Sequence, residues 1–205
     1  MGYDAACTLR CDGKSSRGTA WLEHKELVFR GPNRLAIPLA SIRSATARDG
    51  TLHVEFGDRS ADFVIGTMAA KWATRIMNPP SRLDKLGIKA GMTIAAIAIT
   101  DSAFLDEARG RATKVVAGAP RGATLVDAVF YGANHRDDLA RLAAIKKQIS
   151  ANGAIWVVRP KGHADITEAE TMAAGKRAGL VDVKVVSFSD THTAEKFVIP
   201  VAKRR

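Results

Sequence analysis

The second half of the chain contains three apolar runs with almost no polar alternation. They are residues 92–100 (MTIAAIAIT), 125–132 (LVDAVFYG) and 154–159 (AIWVVR). A strand with one face in water alternates apolar and polar side chains, whereas a strand buried on both faces is apolar throughout. The runs therefore predict a parallel sheet covered by helices, built from strand–helix–strand units.

Helix signals lie between and after these runs. Residues 135–153 (HRDDLARLAAIKKQISANG) predict an amphipathic helix that ends at Gly153. Thr167 and Glu170 form a T-x-x-E capping box at the start of the next helix, and Gly179 supplies its left-handed end. Two final strands are then expected in DVKVVSF and EKFVIPV.

The first eighty residues differ, because their apolar runs are short and alternate with polar side chains. In residues 51–56 (TLHVEF), Leu52 and Val54 share one face, as in a half-buried strand. Asp49-Gly50 is a turn pair of the kind that joins antiparallel strands. The seven predicted strands are ACTLRC, GTAWLEH, ELVFRG, LAIPLASI, SATARDG, TLHVEFG and ADFVIG.

A helix is predicted after these strands, in residues 67–80 (TMAAKWATRIMNPP), with Trp72 as a core plug and the prolines as its stop. This order, together with residues 26–45 (ELVFRGPNRLAIPLASIRSA), resembles the pleckstrin-homology-like (PH-like) superfold. The resemblance implies a seven-strand β-barrel or sandwich with a C-terminal helix over residues 1–79. Some relatives bind phosphoinositides through the first hairpin loop, where Lys14 and Arg17 leave anionic-lipid binding open beside a simple polar turn.

The second half resembles the class I methyltransferase-like fold, and more specifically an uncharacterised bacterial family, a domain of unknown function with that fold. The stretches that carry the resemblance are KLGIKAGM (85–92), AIWVVRPKG (154–162), DITE (165–168), AGLVDVKV (178–185) and THTAEKFVIP (191–200). The resemblance implies a small Rossmann-like α/β domain over residues 81–205. The whole chain is thus expected to be a two-domain α+β protein.

The usual cofactor signals of such a domain are missing. In true methyltransferases the first strand leads into a glycine-rich turn, and an acidic residue after the second strand holds the cofactor ribose. Here residues 100–110 (TDSAFLDEARG) follow the first strand directly, and residues 113–120 (TKVVAGAP) end without a carboxylate. Residues 114–129 leave room for two strands but no crossover helix. We therefore expect a degenerate domain with no cofactor, in which S-adenosylmethionine does not bind in the usual mode.

The carboxyl ends of the parallel strands still define a crevice in which α/β sheets bind ligands. Lys161 could meet an anionic ligand there or be a solvated loop residue, and His135 could act as a base or be structural. No Ser-His-Asp or Cys-His set can be assembled, so no catalytic residue is predicted. The residues expected to bind a cofactor or ligand are Thr100, Asp101, Tyr131, Arg159 and Lys161, with Asn134, His135 and Pro160 beside them.

The net charge of +10 is dispersed. Residues 1–80 hold 11 basic and 8 acidic residues, and residues 81–205 hold 20 and 13. Because no aromatic-basic pattern accompanies them, a solvated surface is expected rather than a nucleic-acid interface. Cys7 and Cys11 lie four apart, too far along a strand for a disulfide, and no metal set completes them.

No apolar run is long enough to cross a bilayer and no secretory signal is present, so a cytoplasmic location is expected. These observations favour a non-catalytic binding or interaction protein, whose partner is an unknown protein or a small anionic ligand. The alternative is an atypical S-adenosylmethionine-dependent methyltransferase with a site near Asp101 and Lys161.

Overall fold

The computed structural model of the chain describes residues 3–122 and 124–204. The chain divides into two compact units, Met1–Pro80 and Ser81–Arg205. Each unit contains one β-sheet, so the protein has the mixed α/β composition that the sequence predicts. None of the helices in the described part of the chain combines the length and apolarity that a membrane crossing requires.

The first unit is a seven-stranded antiparallel sheet followed by one helix. Its strand order is β4-β3-β2-β1-β7-β6-β5. The strands are β1 (Tyr3–Cys11), β2 (Lys14–Leu22), β3 (Glu26–Arg30), β4 (Arg34–Pro38), β5 (Ile42–Arg48), β6 (Thr51–Phe56) and β7 (Arg59–Val64), and the helix is α1 (Met68–Met77).

The hairpin between β5 and β6 turns where the sequence predicts it. Asp49 and Gly50 both have positive φ, 49° and 74°. A two-residue turn with both residues left-handed matches the twist of the strands that it joins, and aspartate followed by glycine accepts these angles best. Helix α1 packs against β5 and β6, and the Trp72 side chain is fully buried in the core of this unit.

The second unit contains a six-stranded sheet in the order β12-β13-β11-β10-β8-β9. Strands β9, β8, β10 and β11 are parallel, and β13 is antiparallel to both β11 and β12. The elements are α2 (Arg82–Leu86), β8 (Thr93–Ile97), α3 (Ser102–Arg111), β9 (Lys114–Ala117), β10 (Val126–Gly132), α4 (Leu142–Ile145), β11 (Ile149–Pro160), α5 (Glu168–Arg177), β12 (Val181–Ser187) and β13 (His192–Val198).

Apolar side chains cover both faces of this sheet, as the uninterrupted runs predict. On one face Val129, Tyr131 and Ile155 pack with the helical segments before and after β11. On the other face Phe130 and Trp156 pack against residues of α2 and α3. The two sets alternate along each strand, so nearly every central strand residue is buried.

The helix predicted for residues 135–153 is broken and shorter. Arg136–Arg141 and Lys146–Gln148 are 3₁₀ turns on either side of the single α-turn α4. Strand β11 begins at Ile149 because that residue pairs with Val126 of β10, so the chain is already extended there. Gly153 therefore lies inside β11, and the prediction that it ends a helix is wrong.

The segment after β8, treated as an open turn in the sequence, is helix α3. Asp101 is its N-cap, and Phe104 and Ala108 anchor it in the core. The capping box of α5 is confirmed, since the Thr167 side chain accepts from the backbone N–H of Glu170 while the Glu170 side chain accepts from that of Thr167. Between β9 and β10 the described residues form no helix, as their number predicts.

Candidate functional site

A small cleft opens where β8 and β10 end side by side, and we call it the carboxyl-edge cleft. The chain leaves β8 towards β9 on one side, whereas β10 continues to β11 on the other, and ligands of open α/β sheets bind at such reversals. The cleft has a volume of about 50 Å³. It is lined by Ala98, Ile99, Thr100, Asp101, Gly132, Asn134, Val158, Phe188 and His192.

The floor of the cleft is a sharp turn immediately after β8. Ala98 has a φ of 54°, a left-handed conformation that side chains with a Cβ rarely adopt. The neighbouring strand β10 has a glycine at this point, Gly132. A Cβ there would lie 2.1 Å from the carbonyl oxygen of Ala98, so a larger residue would clash. Strained backbone of this kind concentrates at functional sites.

Asp101 is the carboxylate of the cleft, and two groups hold it. Its Oδ1 accepts from the backbone N–H of Phe104 at 2.8 Å, which caps α3. Its Oδ2 accepts from Nη1 of Arg82 at 2.7 Å. Burial alone raises the pKa of Asp101, but these two hydrogen bonds outweigh it, and the net pKa lies below the ordinary value. The cleft therefore contains an ionised carboxylate at neutral pH.

Arg82 connects the elements that form the cleft. Its guanidinium carbon lies 5.4 Å from the ring centroids of both Phe104 and Phe188. Besides Asp101, it donates to Glu107 through Nε and Nη2, at 3.0 and 2.8 Å. Since Phe188 belongs to the turn between β12 and β13, this single side chain ties that turn to α3.

Of the five residues predicted to bind a ligand, Thr100 and Asp101 line the cleft, and so does Asn134, which was predicted to lie beside them. Tyr131 is buried on the face of the sheet that packs against α4 and α5, and its hydroxyl donates to the carbonyl of Asp138 at 2.7 Å. Arg159 is 7% exposed and is paired with Glu195, which is 2% exposed, through Nε and Nη2 at 2.6 Å. Tyr131 and Arg159 thus stabilise the frame of the sheet and do not line the cleft.

Lys161 also supports the frame. Its ammonium donates to the Ser187 hydroxyl at 2.9 Å and to the carbonyls of Ser189 and Asp190, so it fastens the β12–β13 turn. Arg82, Phe188 and His192 belong to the site but were not predicted from the sequence. Only their position after a predicted cap or strand could have indicated them, and Arg82 lies far from Phe188 and His192 in the chain.

The described residues do not form a metal centre or a reactive thiol site. Within residues 3–122 and 124–204, no three His, Cys, Asp or Glu side chains come together in a way that could hold a metal ion. Both cysteines are free, and Cys7 is buried. Burial raises the pKa of the Cys7 thiol to about 12, so it is protonated at neutral pH.

No family model and no curated protein matches the chain, but solved structures do. An S-adenosylmethionine-dependent methyltransferase from Aquifex aeolicus is 14% identical, with a TM-score of 0.47, over 62% of this chain and 93% of that one. DhpI, solved in complex with SAH, is 13% identical, with a TM-score of 0.47, over 62% and 86%. The fibrillarin pre-rRNA processing protein of Methanococcus jannaschii is 10% identical, with a TM-score of 0.44, over 87% and 95%.

Two expectations from the sequence disagree with these matches and are corrected. The leading expectation is a non-catalytic binding protein rather than an enzyme, whereas the structures found include S-adenosylmethionine-dependent methyltransferases, as in the alternative. The expectation of no cofactor disagrees with the match to DhpI, whose structure is a complex with SAH. At these identities the likeness is one of fold alone, so the function proposed below rests on the cleft.

The usual way of holding S-adenosylmethionine does not fit the residues of this cleft. Residues 118–120, which follow β9, provide no carboxylate for a ribose. Both carboxylate oxygens of Asp101 already accept hydrogen bonds, one from the Phe104 amide of α3 and one from Arg82. A volume of about 50 Å³ is also well below the roughly 300 Å³ at which cofactor pockets begin. A bound nucleoside would need a different arrangement of the cleft wall.

Proposed function

We propose that the α/β unit is an S-adenosylmethionine-dependent methyltransferase with an atypical site in the carboxyl-edge cleft. The observation that carries the proposal is the position of the cleft at the chain reversal between β8 and β10, where ligands of open α/β sheets bind. S-adenosylmethionine would bind there with the cleft wall rearranged, because the present volume is too small for it. There an ionised carboxylate, Asp101, faces the apolar side chains of Ile99, Val158 and Phe188. The lining thus combines apolar side chains with the polar groups of Thr100, Asp101, Asn134 and His192. Convergent polar groups beside apolar side chains are what fix the orientation of a small molecule in its site.

Among the residues predicted from the sequence, the proposal keeps Thr100 and Asp101 as ligand contacts. Tyr131, Arg159 and Lys161 are assigned to holding the strands and the β12–β13 turn, since they do not line the cleft and bond to other parts of the sheet. Asn134 and His192 also line the cleft. No catalytic step is assigned to any of these groups.

Binding of S-adenosylmethionine and SAH to the full chain tests the proposal. Calorimetric titration should give a saturable signal, and thermal unfolding should move upward, because a ligand that binds only the native state stabilises it. Asp101→Asn removes the charge and keeps a good helix cap. It should weaken binding about tenfold, the equivalent of losing one hydrogen bond to a charged group.

Asp106→Asn is the matched control for Asp101→Asn. Asp106 lies in the helix that Asp101 caps, its side chain is 75% exposed, and it pairs on the surface with Arg109. The control should bind both ligands as the unchanged protein does. Absence of binding of either ligand to the unchanged protein would refute the proposal. Equal loss in both variants would assign the effect to charge in general and not to the cleft.

We also propose that the chain consists of a PH-like domain, residues 1–79, and a methyltransferase-like domain, residues 81–205. The number of strands, the antiparallel order and the closing helix of the first unit support the PH-like assignment. A groove of about 220 Å³ in that unit contains Lys14, Arg34 and Arg59, so a small anionic ligand stays a candidate partner. Arg59 is already paired with Asp12, which weakens the groove as an anion site.

A further inference from the structure

Two lysines face each other across the last hairpin of the α/β unit. Lys184 of β12 lies directly opposite Lys196 of β13 in the antiparallel register. Both ammonium groups lie over the ring of Trp156, at 5.6 and 5.7 Å from its centroid. We call these two residues the lysine pair.

Opposite placement of like charges destabilises an antiparallel pair of strands. The indole ring of Trp156 attracts both ammonium groups, but it neutralises neither. Lys184 has one further partner, the carbonyl of Lys85 at the end of α2, at 2.7 Å. Among the ion pairs of residues 3–122 and 124–204, none joins a carboxylate to Lys184 or Lys196.

The environment of Lys196 is less favourable to a charged ammonium group than that of Lys184. It is partly buried, and its neighbour in the chain, Glu195, points to the other face of the sheet and is committed to Arg159. Burial, followed by the charge of Lys184, lowers the pKa of Lys196. An anion placed between the two ammonium groups would offset this lowering of the pKa, because a nearby negative charge favours the charged form of a lysine.

We infer that the lysine pair binds a phosphate group of a small molecule. Ammonium groups on flexible stems act as point charges, each with three donors, and this is how lysines hold phosphate in proteins. A phosphate ester has a charge of about −1.5 to −2 at neutral pH, which matches two cations better than a single carboxylate does. The cross-strand register and the shared contact with the Trp156 ring place both ammonium groups on the same face of the sheet.

The site is separate from the carboxyl-edge cleft. Trp156, Lys196 and Lys184 form one row across β11, β13 and β12, several residues before β11 ends at Pro160. Neither lysine lines the cleft. The inference therefore does not depend on the proposed methyltransferase activity, and each can fail without the other.

Inorganic pyrophosphate is the probe, titrated at pH 7.5 into the full chain at constant ionic strength with sodium chloride as balance. Saturable binding is expected. Lys196→Met and Lys184→Met keep an apolar side chain of similar length beside Trp156. Each should raise the dissociation constant about tenfold, because each removes one hydrogen bond to a charged group. Lys184→Arg keeps the charge and should retain binding.

Lys147→Met is the matched control, since Lys147 is exposed in the same unit and its removal changes the net charge equally. It should bind pyrophosphate as the unchanged protein does. Without any anion, Lys196→Met should unfold at a higher temperature than the unchanged protein at low salt, because the repulsion is gone. Equal affinity in all variants, or no saturable binding at all, would overturn the inference. Weakened binding in both methionine variants, with the unfolding temperature of Lys196→Met raised, would support it.

Discussion

Replacing Glu195 with glutamine should destabilise the α/β unit by about 3 kcal/mol. Removing one member of a buried ion pair leaves the other charge buried without its partner. The guanidinium of Arg159 is 7% exposed, and its close partner is the Glu195 carboxylate at 2.6 Å. Glu168 is 3.8 Å from the same guanidinium and remains after the substitution. Its side chain is 54% exposed, so it can compensate only in part.

Removing both charges should restore most of the lost stability. In Arg159→Met with Glu195→Leu, apolar side chains of similar length replace the pair, and such exchanges are commonly neutral or stabilising by about 1–4 kcal/mol. Oε2 of Glu195 is buried and has no hydrogen-bond partner among the described residues, which adds to the reasons for expecting recovery. The same double variant should leave ligand affinity at the carboxyl-edge cleft unchanged.

Urea unfolding at pH 7, followed by circular dichroism, measures these differences. With a slope of about 1–3 kcal/mol/M, a loss of 3 kcal/mol lowers the midpoint by roughly 1–3 M. Glu168→Gln is the control, since it removes an exposed carboxylate near the same guanidinium and should change stability by less than about 1 kcal/mol. If Glu195→Gln were no more harmful than Glu168→Gln, the interpretation of Arg159 as a structural residue would be refuted.

Three further substitutions test local geometry. Ala98→Gly should stabilise the protein by about 1 kcal/mol in urea unfolding, because glycine accepts the positive φ without strain. Gly175→Ala should destabilise it by about 1–3 kcal/mol, since the new Cβ would lie 2.3 Å from Cε1 of Phe197. Gly110→Ala, in an equivalent helix with nothing within 4 Å, should instead stabilise by about 0.5–1 kcal/mol. Cys7 should resist iodoacetamide at pH 8 until the protein unfolds, because burial raises its pKa to about 12.

The layered α/β architecture could be predicted because local patterns and burial agree. The unbroken apolar runs became β8, β10 and β11, and alternation in the first half became an antiparallel sheet. Capping chemistry is equally local, which is why Thr167 and Glu170 were assigned correctly. Prediction failed where a tertiary pairing decided the outcome, as at Ile149, whose partner Val126 converts the expected helix end into a strand.

The membership of the cleft could not be predicted for the same reason. Arg82, Asp101 and Phe188 come together only because β13 inserts between β11 and β12 and brings the preceding turn back to α3. Strand-end position alone selected Arg159 and Lys161, which the folded chain uses to bind its own strands and turn. Position in the sequence predicts which residues lie near the carboxyl edge of the sheet. Their hydrogen-bond and ion-pair partners within the protein decide which side chains remain available to a ligand.

The missing glycine after β8 has a different meaning in the folded chain from its meaning in the sequence. A glycine-rich turn serves to let the backbone bend sharply and to let another group approach closely. Ala98 makes the sharp bend with a φ of 54°, and Gly132 on the neighbouring strand provides the close approach, because any Cβ there would meet the Ala98 carbonyl. The two properties have been divided between two strands that are adjacent in space and 34 positions apart in sequence. Absence of a glycine motif from one segment therefore does not establish that the backbone geometry is absent. Unfolding of Ala98→Gly measures the strain of this turn, and ligand titration of the same variant measures whether that strain affects binding in the cleft.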